Sequence, residues 1–346
     1  MHYLSTIELL IILSISFFVS LFICYIYKLY VERLNLFIIV PNHRSSHAIP
    51  TPTGAGITIS FIYVTSLFLL IYFNKIHSVS LIVFINLGAI LATLFGFYDD
   101  IKDSSSKSKL ILQIFLGFWI LYIFANPIFT FLQGYSSIIL WIDLFILLFL
   151  LVWFSNAINF MDGINGMLTS GIIIILLSAS SFIFFQEGSD ENVILLLLLA
   201  SVSIAFLFFN FPIASIFMGD SGSLFFGYMI SCLAIKTIID GDLSFWTWAI
   251  LLGYFFTEPT VTTILRLKLS RYWYRAHRSC AYQNVARELG NHTKVTMASI
   301  IFHLFWLFPL AFTSIYYDNL GLILYLLAIF PVIIFTFRYG PLYSNK

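Results

Sequence analysis

The chain has 346 residues, of which 60% are hydrophobic and only 10% charged, and its mean hydropathy is +0.99. Soluble domains carry about 25% charged residues, so this composition excludes an ordinary soluble enzyme and places the chain in the polytopic membrane class. The net charge of +1 says little, because the distribution of charge matters more than its sum, and no nucleic-acid partner is expected. Cys24, Cys232 and Cys280 are scattered, with neither metal-ligand spacing nor a disulfide pattern.

Apolar runs at residues 7–27, 57–73, 79–97, 110–128, 138–157, 168–185, 193–211, 224–239, 245–265, 295–315 and 320–337 predict eleven spans. The first is too long for a signal peptide and lacks a basic leader, so it reads as a retained span. Backbone polar groups must be satisfied internally in lipid, which makes the spans helices. A membrane β-barrel would alternate residue by residue instead. The expected fold is a single all-α polytopic membrane domain over residues 1–346, with about eleven transmembrane helices. Of the 17 lysines and arginines, all but Lys75 and Lys236 fall in loops or tails on one side. The positive-inside rule makes that side cytoplasmic. Five hydrophilic loops on it, at residues 41–56, 98–109, 156–166, 218–223 and 266–294, hold nearly all the chemistry-bearing side chains.

The first loop is rich in proline and glycine, which mark turns; within it Arg44 and His47 either contact an anionic substrate or sit in a purely structural turn. The second begins Phe97-Tyr98-Asp99-Asp100-Ile101-Lys102-Asp103. Adjacent carboxylates at a membrane boundary need compensation, by a divalent cation or by Lys102 in a solvated turn. Lys109, at the entry to the next helix, can reach a phosphate. In the third loop Asn156, Asn159 and Asp162 are spaced by three and share one helical face, followed by Gly163 and Gly166, which permit a tight turn. In the fourth, Met218-Gly219-Asp220-Ser221-Gly222-Ser223, Asp220 is a candidate carboxylate for a cation, and Ser221 or Ser223 a candidate helix cap. Glu258 lies inside the ninth span and should face the bundle interior. In the last loop Arg275 and Arg278 flank His277 and can hold a diphosphate. His2, His77, His292 and His303 read as incidental.

Taken together, these motifs resemble the polyprenyl-phosphate N-acetylhexosamine-1-phosphate transferases, glycosyltransferase family 4, in the form of the O-antigen and capsule branch. The resemblance implies a cytoplasm-facing cleft, a UDP-N-acetyl-sugar donor, undecaprenyl phosphate as acceptor, release of UMP, and Mg²⁺ (or Mn²⁺) as cofactor. It implies that Asp99 and Asp100 are the paired catalytic aspartates and that Lys109 lies near the lipid phosphate. It gives Asn159 and Asp162 to the nucleotide and metal motif, and makes Asp220, with Asp162 and Asp100, the metal-side group. Asn156, Glu258, Arg44, His47, Arg275, His277 and Arg278 are then expected on the substrate. Cys280 stands where that branch often has a second histidine, and Asn165 where many relatives have aspartate. The late loop has no run of histidines, which argues against a muramoyl-pentapeptide substrate. Two rivals remain at this level. An intramembrane aspartyl protease would use Tyr98-Asp99 and Gly219-Asp220, but residue 217 is Phe rather than Gly. A transporter would show repeats and charges at the midplane.

Overall fold

The computed structural model describes residues 5–39, 50–102, 104–131, 137–269 and 278–343. Its helices, in chain order, are α1 (Thr6–Leu34), α2 (Gly56–Tyr72), α3 (Val79–Lys102), α4 (Ser106–Ile123), α5 (Ala125–Phe131), α6 (Ser137–Met161), α7 (Met167–Phe185), α8 (Asp190–Asn210), α9 (Gly219–Ile239), α10 (Phe245–Leu251), α11 (Gly253–Leu269), α12 (Ala281–Leu289), α13 (His292–Phe302), α14 (Phe308–Tyr316) and α15 (Gly321–Tyr339). A π-helical turn, His303–Leu307, joins α13 to α14. Among the described residues nine helical stretches are long and apolar enough to cross a membrane. The chain is therefore an all-α polytopic membrane protein.

Every predicted span is helical, with two corrections to continuity. The fourth stops at Phe124 and resumes as α5, because Pro127 cannot donate to the preceding turn. The ninth is interrupted at Leu252, where the poor helix former Gly253 follows, and Pro259 lies inside α11. The 17 residues of α2 make the shortest of the uninterrupted predicted spans. Helix starts follow the sequence: Ser5 and Glu8 form a reciprocal capping box on α1, and Ser105, Ser189, Ser244 and Asn291 cap α4, α8, α10 and α13.

α7, α8 and α9 are buried along most of their length, whereas α1 is mostly exposed. α3 lies along α9, α7 against α8, α1 against α8, and α6 against α9. Two short strands, β1 (Ile38–Ile39) and β2 (Thr51–Pro52), pair antiparallel with Ile38 opposite Pro52. The chain after β2 is stitched to the approach to α9: Phe217 N–H donates to Pro52 O at 2.8 Å and Gly56 N–H to Met218 O at 2.9 Å.

Close approach there depends on missing side chains. A methyl group on Gly56 would collide with the backbone of Gly222, and one on Gly96 with the Asp220 carbonyl. Small residues let membrane helices approach backbone to backbone. Gly96→Ala should therefore push α3 away from the start of α9, costing about 1–3 kcal/mol as overpacking does. Thermal unfolding in detergent is the check; an unchanged midpoint would refute this account of the contact.

The end of the bundle reached by the close of α1, α3, α6 and α8 and the start of α2, α4, α7 and α9 holds the described parts of the first four hydrophilic loops. At the other end the two minority lysines are both ion-paired. Lys75 meets Glu8 at 3.0 Å, and Lys236 meets Asp240 at 2.8 Å and Glu191 at 3.4 Å. Positive charge on that end is thus neutralised locally.

Candidate active site

The adjacent acids Asp99 and Asp100 occupy the last turn of α3. Consecutive helical residues point about 100° apart at 3.6 residues per turn, so the two carboxylates diverge instead of sharing one ion. Asp99 turns toward α4. Its Oδ1 accepts from Ser104 N–H at 2.9 Å and from the Ser104 hydroxyl, and its Oδ2 pairs with Lys109 Nζ at 2.6 Å. Asp100 turns toward α9 and accepts from the backbone N–H groups of Asp220 (2.7 Å) and Ser221 (3.1 Å). Those are unbonded donors of a helix N-terminus, where the positive end of the dipole also favours a carboxylate. The cap on α9 therefore comes from another helix, which corrects the expectation for Ser221 and Ser223. Ser221 Oγ instead donates to Met218 O, and Ser223 Oγ accepts from Asn159. Gly219 makes this possible: its φ is +74°, and a side chain there would overlap the Asp100 carboxylate.

Lys109 joins the halves of the site. Its ammonium contacts Asp99 and also the Asp220 carboxylate. Asn159, near the end of α6, donates from Nδ2 to Asp220 Oδ1 at 2.6 Å and to Ser223 Oγ at 2.8 Å. α6 ends at Met161, so Asp162 sits on the turn just beyond it. Asp99, Asp100, Lys109, Asn159, Asp162 and Asp220 all line one cavity of about 570 Å³. Among the described residues four carboxylates face one ammonium there. Burial, and after it the charges of Asp220 and Asp100, push the Asp162 carboxyl up to about 7.

Other expected residues lie elsewhere. Asn156 is one turn back along α6 and donates to Gln113 Oε1 at 2.7 Å, off the cavity lining. Glu258 is fully buried but also off the lining; its Oε1 accepts from Ala281 N–H at 2.6 Å and from Thr262 Oγ1 at 3.3 Å. Arg278 is likewise off the lining, and its carbonyl accepts from Arg287. Arg44, His47, Arg275 and His277 lie outside the described residues. Conversely His292, read as incidental, lines the cavity at the start of α13, as do Asn165 and Asn210. Asn210 fixes the turn opposite, accepting from Gly166 N–H at 2.9 Å and donating to Ile216 O at 3.0 Å. The position of His292 at the edge of a hydrophilic loop, after the capping residue Asn291, was the available signal.

A cavity walled by charged side chains thus lies at one end of a helical membrane bundle, the layout expected of a membrane enzyme that handles a charged group. Residues 81–238 match the profile of glycosyl transferase family 4, a stretch that runs from α3 to α9 and contains all six of those cavity residues. The phospho-N-acetylmuramoyl-pentapeptide-transferase of Streptococcus equi subsp. zooepidemicus is 31% identical over 236 residues, 64% of this chain and 68% of that one. The Bacillus pumilus protein of the same name is 32% identical over 232 residues, 63% and 68%. The probable undecaprenyl-phosphate N-acetylglucosaminyl 1-phosphate transferase of Bacillus subtilis is 29% identical over 242 residues, 66% and 64%. The chain belongs to glycosyl transferase family 4, the polyprenyl-phosphate hexosamine-1-phosphate transferases, and is a phospho-sugar transferase.

Proposed function

We propose that the chain transfers an N-acetyl-sugar 1-phosphate from a UDP-sugar to undecaprenyl phosphate. The products are undecaprenyl-diphospho-sugar and UMP, and the reaction initiates O-antigen, capsule or related envelope glycan synthesis. The observation that carries this reading is the bridging of Asp99 and Asp220 by Lys109 inside a polar cavity of a family 4 chain. The Bacillus subtilis relative's name supports the acceptor lipid. Isolated His277 and His292, in place of a histidine run, favour a hexosamine donor over a muramoyl-pentapeptide one. The charge bias of the loops, with Lys75 and Lys236 neutralised at the far end, supports a site facing the cytoplasm of a bacterial inner membrane.

Both reactants are anionic, so the enzyme must offset their repulsion and keep the acceptor phosphate fully ionised. Lys109 supplies fixed positive charge to the phosphates. Asp99, held by Ser104 and Lys109, takes the remaining proton of the acceptor phosphate. Asn159 orients Asp220, and Asp100 anchors the start of α9 so that Asp220 keeps its place. The donor set fits Mg²⁺ or Mn²⁺. Among the described lining residues four carboxylates stand against one ammonium, and Mg²⁺ needs only one or two protein carboxylates when phosphate oxygens complete its shell. Among the described residues no three acidic, histidine or cysteine side chains form a ready cage. Asp162 and Asp220 would hold the cation. A cation held by those two carboxylates would supply charge neutralisation for the diphosphate.

The decisive assay is UMP release by purified protein given undecaprenyl phosphate, Mg²⁺ and a panel of UDP-N-acetyl sugars. Folded protein that releases UMP with none of them rejects the proposal. A pH dependence follows from Asp162. Its carboxyl is neutral below about pH 7 and ionised above, so proton and cation compete. The Mg²⁺ concentration giving half-maximal rate should fall by about fivefold from pH 6 to pH 7 and by about twofold more to pH 8, then level off. The raised value also removes folding stability as pH climbs from the ordinary carboxylate range to 7, since the unfolded chain is already ionised there. Mg²⁺ should therefore protect against heating more at pH 8 than at pH 6. Asp162→Asn should weaken both pH dependences.

A further inference from the structure

Three of the four cavity carboxylates are fixed by bonds to their own oxygens: Asp99 by Ser104 and Lys109, Asp100 by the start of α9, Asp220 by Lys109 and Asn159. No such bond holds the Asp162 carboxylate among the described residues. Its position is set by the backbone of the turn at residues 162–166, and that turn is gripped from outside. Tyr282, fully buried in the first turn of α12, donates from its hydroxyl to Phe160 O at 2.6 Å. A side chain on Gly163 would collide with the Tyr282 hydroxyl and the Gln283 amide, so α12 presses directly on the residue after Asp162.

α12 is itself pinned to two other helices. Glu258 in α11 accepts from Ala281 N–H at 2.6 Å, taking up one of the free donors at the α12 N-terminus, with the Cys280 thiol against the same carboxylate. Asn284 donates to Tyr339 O at 2.6 Å and to Gly340 O at 3.2 Å, at the end of α15. A short helix of nine residues would have little stability in isolation, so these ties decide where it stands.

We propose that α12 is a clamp that positions Asp162, with Tyr282 as its contact to the turn and Glu258 as its anchor. Glu258 acts on the reaction through α12 and Asp162, without touching substrate. The inference rests on the reading of Asp162 as a group that works on the donor side of the reaction.

A double-mutant cycle on UMP release tests it. Tyr282→Phe keeps the ring and removes only the hydroxyl. It should lower kcat by about tenfold, since a displacement on the order of 1 Å can cost about 100-fold, while KM for the sugar nucleotide stays within about twofold. In an Asp162→Asn background the same change should have no further effect. Amide hydrogen exchange at residues 162–166 should speed up in Tyr282→Phe, with α7 and α9 unchanged. Gly163→Ala, which forces the clamp from the other side, should repeat the pattern, and it replaces Tyr282→Phe if that variant fails to fold. Losses that multiply independently in the double variant overturn the clamp while leaving the assignment of Asp162 intact. An Asp162→Asn enzyme with the wild-type rate overturns both.

Discussion

Lys109→Met should abolish transfer, lowering kcat by about a thousandfold or more, the scale seen when a charge-stabilising donor is removed from a preorganised site. The ammonium contacts Asp99 and Asp220 at once, and the Asp99 side chain is only 4% exposed. Without it two carboxylates face the cavity uncompensated, and breaking a buried pair on one side destabilises by about 3–5 kcal/mol. With 27% of its side chain exposed, Lys109 should fall at the low end of that range. The stability loss and the activity loss should separate. A second change, Asp99→Asn, removes the stranded charge and should restore much of the melting temperature without restoring UMP release. Lys109→Arg keeps the charge, but its planar fork does not match two carboxylates met by one tetrahedral ammonium, so it should recover stability better than rate. A Lys109→Met enzyme with appreciable turnover would remove the central charge from the mechanism.

Asp220→Asn should be about as damaging to rate, by roughly a thousandfold or more on the same electrostatic grounds, yet mild for folding. The Asp220 carboxylate accepts from Lys109 on one oxygen and from Asn159 Nδ2 on the other. An amide in its place has one oxygen and one NH₂ group, so one of the two donors must then face another donor. The negative charge available to a cation is lost as well. The start of α9 should survive, because Asp100 bonds to the backbone N–H groups of residues 220 and 221, which the substitution leaves unchanged. The measurement is UMP release together with the melting temperature in detergent. A large drop in melting temperature would show that the side chain of Asp220, more than the Asp100 cap, secures the helix.

How much of this was legible beforehand depends on the residue. The spans were, because about 20 apolar residues in a row leave the backbone no alternative to a helix in lipid. The common cavity of Asp99, Asp100, Lys109, Asn159, Asp162 and Asp220 was foreshadowed by topology, since alternating spans return odd-numbered loops to one end. The roles within it were not. Asp99 and Asp100 are neighbours in the chain, but helical geometry sends them to different partners, one to Lys109 and one to the head of α9. The family resemblance put Glu258 and Asn156 on the substrate. Packing turned one toward α12 and the other toward Gln113.

Sequence by itself determined the membrane class, the helical spans, the loops that hold the acids and bases, and the family. Each of these depends on composition or on residues close together in the chain. Tertiary structure alone decided which carboxylates meet Lys109, which one caps α9, that His292 reaches the cavity, and that α12 stands against Gly163. Those choices depend on how helices far apart in sequence approach one another. That approach is governed by where Gly56, Gly96 and Gly163 leave room, a property of the packed bundle that no local pattern encodes.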